Sequence, residues 1–432
     1  MDNKKIPVRV SAGIINSLAA GVVPRVGLEY MAVGRKDEIF ALTDILDEVK
    51  LGASTFKIIC GRYGSGKSFF LQMIRSYALQ RGFVVADADM SPDKLLCGTK
   101  GQGLNTYREL LARISTQTLP DAGALELILQ KWINQIRLGA AADGYEGESL
   151  NAFVKQEIFR TIDKMKESAH GFSFATAMAA YWEGYIHNEG LKSSALQWLR
   201  GEFNTKTDAK KVLPVDEIIN DDNWYDYIKL LCKFLKNIGY SGFLIFLDES
   251  INLYKIPNKI TREKNYEKLL SFFNDTIQGR VESFGIVLAA IPQVLHDERR
   301  GLYSYEAFRS RLVQPSVKKN GFVDPSAPVI YLNPLSHEEI LILLEKVLHI
   351  YQSRCAAVTL SNDDIIYFLE GKLSKVGAET LMTPREILRD FIAILNVRKQ
   401  CPETNIRELM NCALEETGTD DDIESDNVVI EF

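Results

Sequence analysis

The amino-acid sequence predicts an α/β fold: a parallel-sheet core, interrupted by a large helical insertion and followed by a C-terminal run of helices. Three observations carry that expectation. Residues 56–60, a glycine loop, residues 67–80 and residues 83–87 follow one another as apolar strand, loop, helix and strand. The block 221–333 resumes the pattern with the apolar runs 243–247, 285–290 and 329–332. Between the two blocks, 120–220 is rich in helical patches and poor in apolar runs, and from 336 onward every periodic segment is helical.

Residues 1–30 read as a leader, with a short helix over 11–20 that Gly21-Val22-Val23-Pro24 breaks. Ile39, Leu42, Ile45, Leu46 and Val49 recur at helical spacing over 35–50. Phe56-Lys57-Ile58-Ile59-Cys60 is a short apolar run ending in glycine, the pattern of a strand covered on both faces of a parallel sheet. Phe70, Ile74 and Tyr77 share one side of the helix 67–80, and Phe83-Val84-Val85-Ala86-Asp87 is the second strand. A glycine-rich connection over 98–103 precedes a helix over 107–118.

In the insertion, helices are expected over 124–138, 150–167, 174–185 and 194–203. A helix over 224–238 leads into the strand 243–247, and another over 262–279 precedes the strand 285–290. The last helices are 336–354, 361–373 and 383–397. Ser336-x-x-Glu339 is a capping box. Thr383-Pro384 sets an N-cap before an N1 proline. Residues 417–432, with Asp420-Asp421-Asp422, read as a solvated acidic tail. The domain reading is a leader over 1–30, an α/β core over 31–119 and 221–333, a helical insertion over 120–220, a helical domain over 334–416, and the tail.

Composition narrows the class. With 432 residues, 46% apolar and 25% charged, the chain has enough apolar residues for an ordinary core, so wholesale disorder is excluded. A net charge of −6 argues against a surface basic all over, while leaving room for one basic face. The six cysteines are scattered with no C-x-x-C pair, so reduced buried thiols are expected rather than disulfides or zinc. The five histidines have no metal-ligand spacing. The N-terminus lacks the apolar run of a signal peptide, and no stretch of about 18 apolar residues occurs. A cytoplasmic protein without a membrane span is the expectation.

The glycine loop carries the chemistry. Gly61-Arg62-Tyr63-Gly64-Ser65-Gly66-Lys67-Ser68 fits the Walker A pattern, with a strand before it and a helix after it. Its glycines let backbone N–H groups face phosphate oxygens, Lys67 reaches the β- and γ-phosphates, and the Ser68 hydroxyl ligates Mg²⁺. Tyr63 and Phe69 belong to the same cofactor-binding set. Phe243-Leu244-Ile245-Phe246-Leu247-Asp248-Glu249 is the Walker B partner, whose carboxylates emerge where open α/β sheets bind ligands. Asp248 would hold Mg²⁺, and Glu249 would orient and polarise the attacking water. ATP is expected between the loop and this acidic pair.

Val33-Gly34-Arg35-Lys36-Asp37-Glu38, ahead of the first strand, resembles the "GRxxE" box of origin-recognition-type AAA+ ATPases, which packs near adenine in that family. Leu332-Asn333-Pro334-Leu335-Ser336 resembles the start of that family's helical lid, and Thr383-Pro384-Arg385-Glu386 its second sensor. The resemblance implies an AAA+ core with a C-terminal lid, Gly34 and Arg35 beside the nucleotide, and Arg385 on the γ-phosphate. Arg309-Ser310-Arg311-Leu312 resembles the arginine-finger segment, with Arg311 the better match for a finger reaching a neighbouring subunit; a surface salt bridge is the alternative. Together with Gly239-Tyr240-Ser241-Gly242, Asp297 and the block 301–308, these segments resemble the BREX-type phage-defence ATP-binding (BrxD-like) P-loop family over about 30–400. One departure concerns the first sensor: the strand 285–290 runs into Ile291-Pro292-Gln293, and only Gln293 is polar there.

Further features have two readings each. Lys255, Lys259, Arg262, Lys264 and Lys268 could meet a phosphate backbone or form a solvated face paired with Glu263 and Glu267. Asp87 and Asp89, at the end of the second strand, lie where the resemblance implies a polar switch residue contacting the Walker B glutamate. Trp132, Trp182, Trp198 and Trp224 read as core anchors rather than base-stacking platforms. The expectation for the whole is an Mg²⁺-dependent ATPase switch or motor of antiviral defence. It would form a homo-oligomer and act on DNA or on other defence-system proteins. A nucleotide-gated scaffold with little turnover is the alternative.

Overall fold

Among the described residues, five parallel strands form one sheet, in the order β2-β3-β4-β1-β5. They are β1 (Ser54–Cys60), β2 (Val84–Asp89), β3 (Phe243–Asp248), β4 (Phe284–Ala290) and β5 (Val329–Tyr331). The structure is a computed structural model that describes residues 6–166, 168–313, 324, 326–374 and 383–415; the expected tail over 417–432 lies outside the described residues. Two compact units divide the chain. One comprises Asp37–Gly61 and Met73–Leu332, and the other Met1–Lys36, Arg62–Gln72 and Asn333–Phe432.

In the first of these, the sheet unit, the central strands β3 and β4 are held because their side chains are apolar on both faces. Phe243 through Leu247 are all buried, as are all residues of β4. Burying a Leu, Ile or Phe side chain contributes about 2 kcal/mol, so a strand of five anchors itself without alternation. Register aligns the C-terminal ends: Asp89 pairs with Asp248, and Cys60 pairs with both Ala290 and Tyr331. Parallel neighbours require crossovers, which helices supply.

The helices, in chain order, are α1 (Val8–Ala19), α2 (Lys36–Lys50), α3 (Lys67–Gln80), α4 (Gln102–Ala112), α5 (Leu125–Ala142), α6 (Gly147–Lys166), α7 (Gly171–His187), α8 (Glu189–Leu199), α9 (Lys206–Val212) and α10 (Trp224–Asn237). They continue with α11 (Ile251–Tyr254), α12 (Lys259–Ile277), α13 (Pro292–His296), α14 (Glu306–Leu312), α15 (His337–Gln352), α16 (Asn362–Leu373), α17 (Pro384–Gln400) and α18 (Ile406–Glu415).

The stretch 120–220 is helical, as its patches suggest, and its helices are longer. Helix α7 approaches α8 closely: a Cβ at Gly184 would sit 2.2 Å from the Lys192 amide nitrogen. Trp132, Trp182, Trp198 and Trp224 are all buried in the sheet unit's core, which accords with their reading as anchors. Helix α4 lies earlier than expected, because Gly101 in the left-handed region (φ 76°) starts it and Ser115 leaves the helix to bridge Val85. The thiols also depart from expectation. Cys60 and Cys232 are buried, whereas Cys401 and Cys412 are exposed. Burial pushes the Cys232 thiol up to about 12.

The second, helical unit has its own core, built from α1 and α15–α18. Ile14, Ile15 and Leu18 of α1 are buried with Leu344, Val347, Phe368, Phe391 and Leu395. The stretch read as a leader is therefore part of this core. Both anticipated caps are present as capping boxes, Ser336 with Glu339 and Thr383 with Glu386. A buried ion pair ties α16 to α17: the Lys372 ammonium, fully covered, donates to Asp390 Oδ2 at 2.6 Å. Lys372→Ala leaves that carboxylate without its main partner, which typically costs 3–5 kcal/mol. With Arg389 Nε 3.5 Å from the other oxygen, a loss of about 3 kcal/mol is expected in urea unfolding.

Candidate nucleotide site

Cys60 ends β1, and the Gly61 amide still donates to the Ala290 carbonyl of β4 at 3.1 Å. The loop that follows turns on two glycines in the left-handed region, Gly64 (φ 74°) and Gly66 (φ 84°). The Ser65 amide donates to the Arg62 carbonyl, and the Phe70 amide to Gly66 as α3 begins. Such a path presents successive N–H groups to an anion at a helix N-terminus. A Cβ at Gly66 would meet nothing within 4 Å, so the loop is open there. Ser65 Oγ is buried with no hydrogen-bond partner. An open cradle with an unsatisfied hydroxyl fits a triphosphate.

The side chains of the loop divide by exposure. The Lys67 ammonium donates to the Arg62 carbonyl at 2.8 Å and lies 5.5 Å from the centroid of the Tyr63 ring. Tyr63 is 67% exposed. Ser68 is half-buried, and Phe69 leans on the helical unit's core.

Two helical-unit contacts hold the loop, one from Arg35 and one from Thr383. Arg35, 7% exposed, donates through Nη2 to the Ser65 carbonyl at 2.9 Å and to the Asn333 carbonyl at 2.5 Å. It is a strut between the loop and the chain leading to α15. Gly34 (φ 64°) lies so close to α15 that a Cβ would come within 2.0 Å of Glu339 Oε1, the capping carboxylate. Gly64 lies against Thr383, the N-cap of α17, with Cγ2 2.6 Å from where a Cβ would be. Arg385 is exposed on the first turn of α17, with its aliphatic stem beside Gly21. These close approaches had no signature in the sequence beyond the glycines themselves.

Gly64→Ala therefore meets two penalties. A left-handed alanine costs about 1–2 kcal/mol, and crowding against Thr383 adds about 1–3 kcal/mol. The expected outcome is a lower melting temperature and weaker ATP uptake, read by thermal unfolding with and without ATP.

In the sheet unit, Asp248 ends β3 and Glu249 follows with φ 56°, a left-handed conformation that costs a non-glycine residue about 1–2 kcal/mol. The Glu249 amide donates to Asp248 Oδ1 at 2.8 Å, and the Met90 amide donates to the Asp248 carbonyl. Asn252 on α11 donates to the Met90 and Glu249 carbonyls. Asp89, level with Asp248 on the neighbouring strand, accepts from Arg113 at 2.7 Å. Asp87 is taken by the buried Arg75 guanidinium at 2.8 Å, which also donates to Ser115 Oγ and the Pro120 carbonyl. That pairing reads as structural, whereas Asp89 stands at the carboxylate edge.

Beyond β4, Pro292 opens α13 and Gln293 is its second residue, donating to the Tyr254 hydroxyl at 3.3 Å. Tyr254 donates to Asp297 Oδ2 at 2.8 Å. That hydrogen bond, with the amides of Arg299 and Arg300, holds the Asp297 carboxyl below its usual range. On α14, Arg309 pairs with Glu298 at 2.9 Å and lies over Tyr303. Arg311 is exposed, and its guanidinium donates to the Ala307 carbonyl of its own helix.

The basic series after Walker B does not form one face. Arg262 is buried and donates to the Ile256 carbonyl, and Lys268 lies over Trp224 and Tyr225. Desolvation lowers the Lys268 pKa. Lys259 pairs along the helix, with Glu263 at 3.7 Å. Among the described residues no cluster of His, Cys, Asp and Glu could hold a metal ion alone. In the helical unit the Ser68 hydroxyl is a hard oxygen donor of the kind Mg²⁺ takes; in the sheet unit the Asp248 carboxylate is another. No helix among the described residues is long and apolar enough to cross a membrane.

Comparison with known proteins gives one family. The family model described as "BREX system ATP-binding protein BrxC/D" matches residues 6–413. A search of the curated proteins finds no match.

Proposed function

The chain belongs to the BREX ATP-binding protein family BrxC/D, and on that premise we propose that it hydrolyses ATP and uses the cycle as a switch within a defence system. The observation that supports this best is the loop itself, open at Gly66 and cradled by Arg35 and Thr383. The N–H groups over 61–68 and the Lys67 ammonium bind the β- and γ-phosphates. Glu249 accepts a proton from the attacking water. The water oxygen bonds to the γ-phosphorus, the bond to the β,γ-bridging oxygen breaks, and ADP and phosphate leave. Ser68 and Asp248 are the residues that would hold Mg²⁺, which would supply charge neutralisation on the phosphates. Arg385 and a neighbour's Arg311 add positive charge where it develops, as arginines of this kind do by about 10³–10⁵-fold in other enzymes.

In this reading a homo-oligomer forms the complete site, and turnover moves the helices over 120–220 or the protomer interface to act on DNA or a defence partner. A second reading, a nucleotide-gated scaffold with little turnover, is favoured by one observation: β4 ends in Ala289 and Ala290, with Gln293 engaged by Tyr254. Phosphate release from ATP, measured with and without duplex DNA, separates the two. Turnover above the Glu249→Gln variant supports hydrolysis; ATP uptake with equal rates in both proteins supports the scaffold.

A further inference from the structure

Resting on the hydrolysis reading, we infer that Asn252 is a positioning residue for Glu249, and that α11 is the element through which the segment after β4 acts on it. Asn252 Nδ2 donates to the Met90 carbonyl at 2.9 Å, one residue past β2. The same nitrogen donates to the Glu249 carbonyl at 3.2 Å. One amide thereby joins the ends of two neighbouring strands across the residue whose φ is 56°. A non-glycine residue stays in that region only where its surroundings over-determine it. Return to negative φ would redirect the Cα–Cβ bond and carry the carboxylate away from its present direction. Asn252 fixes the carbonyl on one side of the turn, and Asp248 Oδ1 accepts the Glu249 N–H on the other.

The far end of α11 is held as firmly. Tyr254 donates to Asp297 and accepts from Gln293, while the Arg300 guanidinium donates to the Tyr254 carbonyl at 3.2 Å and lies 5.4 Å from its ring centroid. Helix α11 is thus clamped at Asn252 to the end of β2 and at Tyr254 to the segment following β4. Gln293, the first polar side chain after β4, connects to the Glu249 turn through Tyr254 and this one helical turn. A sensor at that strand end need not touch the nucleotide to set the direction of the glutamate.

Asn252→Asp keeps the shape and removes both donated hydrogens; Tyr254→Phe removes only the hydroxyl. For Asn252→Asp, kcat is expected to fall about 10- to 100-fold, the scale of a small misplacement of a catalytic group. The KM for ATP should stay within about two-fold, because the loss is confined to the transition state. Tyr254→Phe should show the same pattern at about 3- to 10-fold. The decisive arm is a cycle measured by single-turnover hydrolysis of radiolabelled ATP. In a Glu249→Gln background, Asn252→Asp should add less than about two-fold, since there is no carboxylate left to place. Unchanged kcat, a parallel loss of ATP affinity, or an undiminished loss in the Glu249→Gln background each overturns the inference while hydrolysis stands. A wild type no faster than Glu249→Gln overturns the hydrolysis reading, and this inference with it.

Discussion

Lys67→Ala is expected to weaken ATP binding about 30-fold or more while leaving the fold intact. The loop's backbone N–H groups are dipoles; Lys67 adds a full charge to phosphate oxygens that carry full charges. Removing one partner of such a pair typically costs 2–5 kcal/mol, and about 1.4 kcal/mol is tenfold in affinity. The stability change is small by comparison. Lys67 is half-buried, and its bond to the Arg62 carbonyl lies at the surface. Its position near the Tyr63 ring contributes about 0.5–1 kcal/mol. Calorimetric titration with Mg-ATP, beside thermal unfolding of the apo protein, reads both quantities. Equal affinity in variant and wild type would place the phosphates elsewhere.

Glu249→Gln is expected to bind ATP as well as the wild type and to turn it over about 10²–10⁴-fold more slowly, the usual contribution of a positioned general base. The amide matches the carboxylate in size and can occupy the same left-handed turn, so Asp248 and the Asn252 contacts persist. What disappears is the ability to take a proton from water as the bond to phosphorus forms. A variant that lost affinity and turnover together would assign Glu249 to binding rather than to chemistry.

Much of this was legible because parallel sheets declare themselves locally. Strands covered on both faces must be apolar at every position, and 243–247 and 285–290 are. The loop 61–68 was legible because only glycine accepts the conformations at 64 and 66 cheaply. Ser336 and Thr383 were readable as caps because a cap is a contact over three residues.

Long-range pairings were not legible. Nothing near α1 says that its apolar side covers α15 and α17, and nothing near Gly34 names Glu339 as its neighbour. Charged residues misled for the same reason. Arg262 and Lys268 lie among acidic residues in sequence, yet one turns in to a carbonyl and the other onto aromatic rings. Asn252 escaped notice because an asparagine four residues past a strand carries no pattern until β2 lies beside it. The short helices α11, α13 and α14 offer too few turns for periodicity to show.

Hydrolysis, as proposed, leaves ADP on the protein only where Glu249 keeps its carboxylate. The most direct measurement loads wild type and Glu249→Gln with Mg-ATP, removes free nucleotide by rapid desalting, and identifies the bound nucleotide by ion-exchange chromatography over time. The wild type is expected to accumulate ADP while Glu249→Gln retains ATP. A wild type that keeps its ATP intact for as long as the variant does would contradict the hydrolysis reading.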